Sequence, residues 1–212
     1  GVAITDGNQQ IMLFSNEGKA IRFAESDVRA MGRTAKGVRG MRVALAANAL
    51  DSEDAENDND ENEDSDESSD SGVVSRIVSL VVVPATGEVL CACANGYGKR
   101  TPVDDFPTKK RGGKGVIAIK TSERNGELIG AVAIDETKEL MLISDGGTLV
   151  RTRASEVATT GRNAQGVRLI RLDETETLVR VEAIDAVEDD ELIEDQVIES
   201  TEEAVVVETT AE

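Results

Sequence analysis

Lys109, Lys110, Arg111 and Lys114 place four cations within six residues, interleaved with Gly112 and Gly113 and followed by Gly115. Lysine and arginine on a glycine turn serve anion capture. The side chains supply charge, and residues without a Cβ let main-chain N–H groups approach phosphate oxygens closely. Competing chemistries lack parts. The chain has no histidine, so no Ser/His/Asp or Cys/His set can be assembled. A nucleotide-cradling Walker loop would need glycine where Thr108 stands and serine or threonine where Gly115 stands. Cys91 and Cys93 share one face of a strand and have no second pair to complete a zinc site, so both read as small buried hydrophobes. Phe14, Phe23, Tyr97 and Phe106 are the whole aromatic inventory, too few for a platform that stacks single-stranded bases.

Around that turn the charge is segregated. The 212 residues carry a formal net charge of −19, yet residues 49–72 hold twelve acids and no base, and residues 173–212 hold sixteen acids and one base, Arg180. The remainder has 14 acids against 22 bases. A basic body therefore carries an acidic insert and an acidic tail, both too poor in apolar residues to offset their ordering entropy and both expected to be disordered. No apolar run approaches the roughly 18 residues of a bilayer span, and the expected setting is the cytoplasm. The first residue is glycine, and the sequence reads as a fragment of a longer chain.

The body is repetitive. Anchored on Gly18, Gly96 and Gly147, an arginine follows four residues later (Arg22, Arg100, Arg151) and an acid nine later (Asp27, Asp105, Glu156). Fifteen residues on comes Arg33, Arg111 and Arg162, and nineteen on Gly37, Gly115 and Gly166, each followed by valine. Apolar alternation of period two and the turn dipeptides Asn95-Gly96 and Gly146-Gly147 predict hairpins. Each unit is expected to hold four short strands, at 80–83, 89–94, 97–102 and 116–120 in the second copy. Four-stranded units at this spacing predict an all-β, propeller-like array. The units run over 1–48, 73–127 and 128–175, separated by the insert at 49–72. An opening strand of a fourth unit covers 176–186, and the tail covers 187–212. Three blades are too few to close a ring, which again suggests an arc of a larger one.

One cation per unit at a fixed offset means charge spaced along an arc, and a one-signed stripe recruits polyanions. The candidate contacts are Arg22, Arg100 and Arg151, expected to project outward from their strands, together with Lys99 and Arg153 beside them. The loops add Arg33 and Lys36, then Lys109, Lys110, Arg111 and Lys114, then Arg162 and Arg168. The partner whose charge repeats along a path is duplex DNA, held by its backbone with steep salt dependence. A propeller that meets an acidic protein partner is the alternative from another class.

The segments KKRGGKG (109–115), AIRFAESDVRAMGRTAKGVRGMRV (20–43), NGYGKRT (95–101), TSERNGELIGAV (121–132) and GTLVRTRASEV (147–157) resemble the DNA gyrase A family over residues 1–184. The resemblance implies its C-terminal DNA-wrapping domain, a six-bladed β-pinwheel, of which this chain would carry the last three blades and the closing strand. It implies a part of an ATP-dependent type II topoisomerase that works with a second copy of itself and with the gyrase B protein, in bacterial cytoplasm at the nucleoid. The cleavage tyrosine, ATP and Mg2+ would then lie elsewhere, no cofactor would be needed here, and Tyr97 would not be that tyrosine. The family box reads Q-R-R-G-G-K/R-G. Lys109 stands in place of its glutamine and Lys110 of its first arginine, and this copy lies in the middle unit rather than the first blade. The corresponding protein of topoisomerase IV, with a related but more degenerate pinwheel, is the nearest rival.

Overall fold

The structure, a computed structural model, describes residues 1–43, 74–84 and 86–186. The insert at 49–72 and the tail at 187–212, both expected to be disordered, therefore lie outside the described residues. In the first repeat, β1 (Gln10–Ser15) and β2 (Lys19–Ala24) form a hairpin. The second repeat contributes β3 (Ile77–Val83), β4 (Glu88–Cys93), β5 (Tyr97–Pro102) and the two-residue β6 (Val116–Ile117). The third contributes β7 (Leu128–Ile134), β8 (Lys138–Ser144), β9 (Leu149–Arg153) and β10 (Val167–Arg168), and β11 (Leu178–Asp185) follows.

The sheets are out of phase with the sequence repeat. Their orders are β3-β1-β2-β6, β7-β4-β5-β10 and β11-β8-β9, with neighbouring strands antiparallel. Each central hairpin thus takes its flanking strands from the following repeat, so neighbouring blades are tied covalently and by ladder hydrogen bonds. Strands β3 and β11 each pack against β7, which lies between them. The run beginning at Gly1 forms no strand, whereas its counterparts β3 and β7 each pair with the hairpin of the repeat before them.

Period-two alternation feeds two cores at once. On β4, Val89, Cys91 and Cys93 face the first blade with Met12, Phe14 and Phe106, while Leu90 and Ala92 face the third with Leu140, Leu142 and Leu178. A strand covered on both faces reads as a continuous apolar run, which is what VLCAC is. The fourth strand, expected over 116–120 in the second repeat, shortens to two residues there and in the third repeat, and the first repeat forms none over 38–43. Ala118 and Ile119 leave the ladder, are fully buried in the first core, and their amides both donate to the Gly18 carbonyl at 2.8 and 3.1 Å. Gly166 opens the equivalent strand at φ +85°, and a Cβ there would sit 2.5 Å from the Gly98 carbonyl oxygen. Only glycine tolerates both the backbone angle and that approach.

Candidate nucleic-acid interface

Two of the three offset-four arginines, Arg22 and Arg100, turn inward, which corrects the expectation that they project outward; Arg151 remains exposed. Both faces of an interior blade are covered by neighbours, so a side chain alternating with apolar residues meets another blade rather than water. Arg100 is 7 % exposed. Its Nε donates to the Val157 carbonyl at 2.6 Å, and Nη1 pairs with Glu88 Oε2 at 2.8 Å. Arg22 does the same one blade earlier. It bonds Gln10 across the hairpin and donates from Nη1 to the carbonyls of Val103 and Phe106 at 2.9 and 3.1 Å. Gln10, Glu88 and Glu139 occupy one repeat position, as do Phe106 and Val157. Arg151 pairs with Glu139, has no following loop to hold among the described residues, and stays exposed. Arg22 and Arg100 are thus clasps on the next repeat's connecting loop.

Lys99, expected among the contacts, is fully buried. It points to the opposite face of β5 from Arg100, and its Nζ donates to Thr101 Oγ1 and the Gly161 carbonyl, both at 2.8 Å. Lys99 and Arg100 therefore grip the third repeat's loop on the two sides of the blade edge it crosses. Burial lowers the Lys99 ammonium from 10.5 to about 8. Burial also raises the Cys91 and Cys93 thiols from 9.0 to about 12. The signs oppose. The unfolded chain holds the lysine proton more tightly, so this group adds stability as pH rises from about 8 towards 10.5. The folded chain holds the thiol protons longer, so they remove stability as pH rises above 9. Lys99→Met should abolish the first contribution. Urea midpoints of the two proteins, measured between pH 7.5 and 10 (roughly the window set by these shifts), should converge or diverge with pH; parallel profiles would refute the assignment.

The loop cations occupy contiguous segments. Arg111 donates to the carbonyls of Asp27 and Arg39 at 2.9 and 3.0 Å, and the amides of Gly112 and Arg42 donate to the carbonyls of Gly40 and Gly113. Arg162 occupies the same repeat position and donates to Ile117, the counterpart of Arg39, at 3.3 Å. Lys120 N likewise donates to the Ala164 carbonyl, as Arg42 N does to Gly113. The segments 32–43, 108–121 and 159–172 thus lie edge to edge. Along them Arg33, Lys36, Lys109, Lys110, Lys114 and Arg168 are exposed, Arg111 and Arg162 are half-buried, and Arg153 is exposed on the last hairpin.

A further repeated cation escaped the sequence reading. Twenty-four residues after the anchor glycines stand Arg42, Lys120 and Arg171, and all three are exposed. Each follows the buried residue of its segment (Met41, Ile119, Ile170), so it emerges at the rim just past the anchor. The signal was present as a sixth matched offset. Arg39 and Arg124, also exposed, were missed as well. Among the described residues no group of three or more carboxylates or thiols is placed to hold a metal ion, and no helix is long and apolar enough to cross a membrane. What remains among the described residues is a basic, irregular edge of exposed cations, suited to an extended anion.

The sequence matches the family described as DNA gyrase C-terminal domain, beta-propeller, over residues 9–54, 87–135 and 138–185. It is 53 % identical to the DNA gyrase A protein of Haemophilus influenzae over 195 residues, covering 92 % of this chain and 22 % of that one. It is 47 % identical to the DNA gyrase A protein of Pseudomonas aeruginosa, covering 86 % and 17 %. The chain thus spans about a fifth of the length of these relatives. Among solved structures, a DNA gyrase A C-terminal domain aligns with TM-score 0.67 at 26 % identity, over 84 % of this chain and 52 % of that one. A C-terminal domain of DNA topoisomerase IV aligns with TM-score 0.69 at 19 % identity, over 87 % and 49 %, a likeness of fold alone.

Proposed function

The chain belongs to the DNA gyrase C-terminal domain, beta-propeller, family, and from that membership we propose that its basic outer edge binds and bends duplex DNA as the wrapping part of a gyrase A protein. The observation that carries the reading is the edge-to-edge succession of the three loop segments, with exposed cations on each. Bending roughly 20–30 base pairs through 40–90° costs on the order of 1–6 kcal/mol. No single lysine repays that, but cations distributed over adjacent blades act together, each neutralising a phosphate and releasing its counterion.

The role follows from the geometry. Blades tied by exchanged strands form a stiff arc, and an arc of fixed handedness imposes a fixed hand on the DNA laid over it. In the holoenzyme that hand would present a following segment to the gate as a positive crossover, and ATP-driven passage would leave negative supercoils. The tyrosine that breaks DNA, the ATP site and its Mg2+ would belong to other parts of the assembly, which would pair two gyrase A proteins with two gyrase B proteins in the bacterial cytoplasm. Gyrase is favoured over topoisomerase IV because the relatives of high identity are gyrase A proteins.

The test is binding of this chain to a duplex of about a hundred base pairs, long enough for several helical turns. Affinity should fall steeply with salt, with a slope set by the number of phosphates contacted. Nuclease protection should recur about every ten base pairs, where one side of the duplex faces the protein. Salt-insensitive binding without periodic protection would refute wrapping and favour a protein partner.

A further inference from the structure

We infer that Tyr97, Arg124 and Arg168 form a phosphate clamp on the outer edge of the second blade, a fixed point of contact for a bound duplex. The inference rests on the DNA-binding reading above and adds a contact that neither the repeat nor the box-like loop supplies. Tyr97 opens β5, and Arg168 is its partner across the β5–β10 ladder on the outermost strand of that sheet. The Arg168 guanidinium carbon lies 5.4 Å from the centroid of the Tyr97 ring, and its Nη2 donates to the phenol oxygen at 2.9 Å. Arg124, from the loop that precedes β7, brings a second guanidinium carbon to 4.7 Å from the same centroid.

Two like charges converge on one ring, and neither has a carboxylate partner among the described residues. The electron-rich ring face and the phenol oxygen hold the cations in place without neutralising them. The two arginines in turn pull the phenol below its ordinary value, the Arg168 hydrogen bond being the larger cause and that of Arg124 the next. Such a pair is preorganised for one anion that accepts several N–H donors, and a backbone phosphate has that shape and charge. Both guanidiniums are exposed, so a duplex following the edge can reach them.

The clamp is unique among the three blades. The repeat counterparts of Tyr97 are Lys19 and Thr148, and the ladder partner of Lys19 is Ile117. Every backbone phosphate is alike, so the pair marks one point of the protein's edge at which a duplex is held, in addition to the periodic cations.

Tyr97 is the sole tyrosine and the chain has no tryptophan, so the site carries its own reporter. The chain labelled with 13C at tyrosine Cζ should give one signal, and a 20-base-pair duplex (about two helical turns) should shift it in parallel with overall binding. Arg124→Gln with Arg168→Gln should weaken the duplex about tenfold at 0.15 M salt and reduce the slope of log affinity against log salt by about one, the share of a single phosphate. Tyr97→Phe keeps the ring and should cost less than threefold, while Tyr97→Ala should approach the loss of the double variant. Duplex binding with an unmoved tyrosine signal and an unaltered salt slope in the double variant would overturn the clamp and leave the wrapping reading intact. Failure of the unaltered chain to bind duplex at low salt would overturn both.

Discussion

Arg100→Ala should cost about 3 kcal/mol of folding stability, the low end of the range for breaking a buried ion pair from one side. The substitution withdraws the donor from the Val157 carbonyl and strands Glu88 at the blade junction. Glu88 keeps one bond, from Thr159 Oγ1 at 2.8 Å, which is why the loss falls short of the upper range. The main-chain bonds that residue 100 exchanges with Ala158 and Thr160 survive the substitution and keep the same loop attached. In a domain stable by about 5–15 kcal/mol, a loss of that size is visible as a displaced urea midpoint. Arg22→Ala should cost less, since its cross-hairpin partner Gln10 is neutral and its site is only partly buried. A midpoint within experimental error of the unaltered chain would remove the clasp from the account. At salt concentrations where both proteins are folded, Arg100→Ala should leave the salt slope of duplex binding unchanged.

Replacing Lys109, Lys110 and Lys114 together by glutamine should give the reverse pattern. All three are exposed, and none enters an ion pair among the described residues. Each surrendered phosphate contact lowers the salt slope by about 0.9, so the three should reduce it by about three and weaken binding on the order of a hundredfold at 0.15 M salt. Stability should not move, because exposed side chains away from special features change it by less than about 0.5 kcal/mol. An affinity within threefold of the unaltered chain would show that duplex does not pass over this loop. Arg111 is left in place in that test because its donors are committed to Asp27 and Arg39, and its removal would disturb the loop as well as the charge.

Much of the fold was legible. Matched offsets from three glycines define repeats, period-two alternation defines strands, and Asn95-Gly96 marks a hairpin whose Gly96 takes φ +77°. These are local consequences of backbone sterics and pleat geometry, and any chain with this pattern carries them. The edge was legible too, since the loop bearing Lys109 and Lys110 is exposed as a one-signed turn must be.

What only tertiary structure decided is which strands share a sheet and which cations meet water. Sequence places β3 and β6 in the same repeat as β4 and β5, yet both pair with the first repeat's hairpin, because an edge strand joins whichever unpaired edge the arc brings beside it. Lys99, Arg100 and Lys109 are alike in type, but two are buried as clasps and one is exposed. Alternation tells which face of a strand a side chain occupies; it cannot tell that both faces of an interior blade are covered. That depends on the neighbouring blades, and through them on contacts distant in the chain.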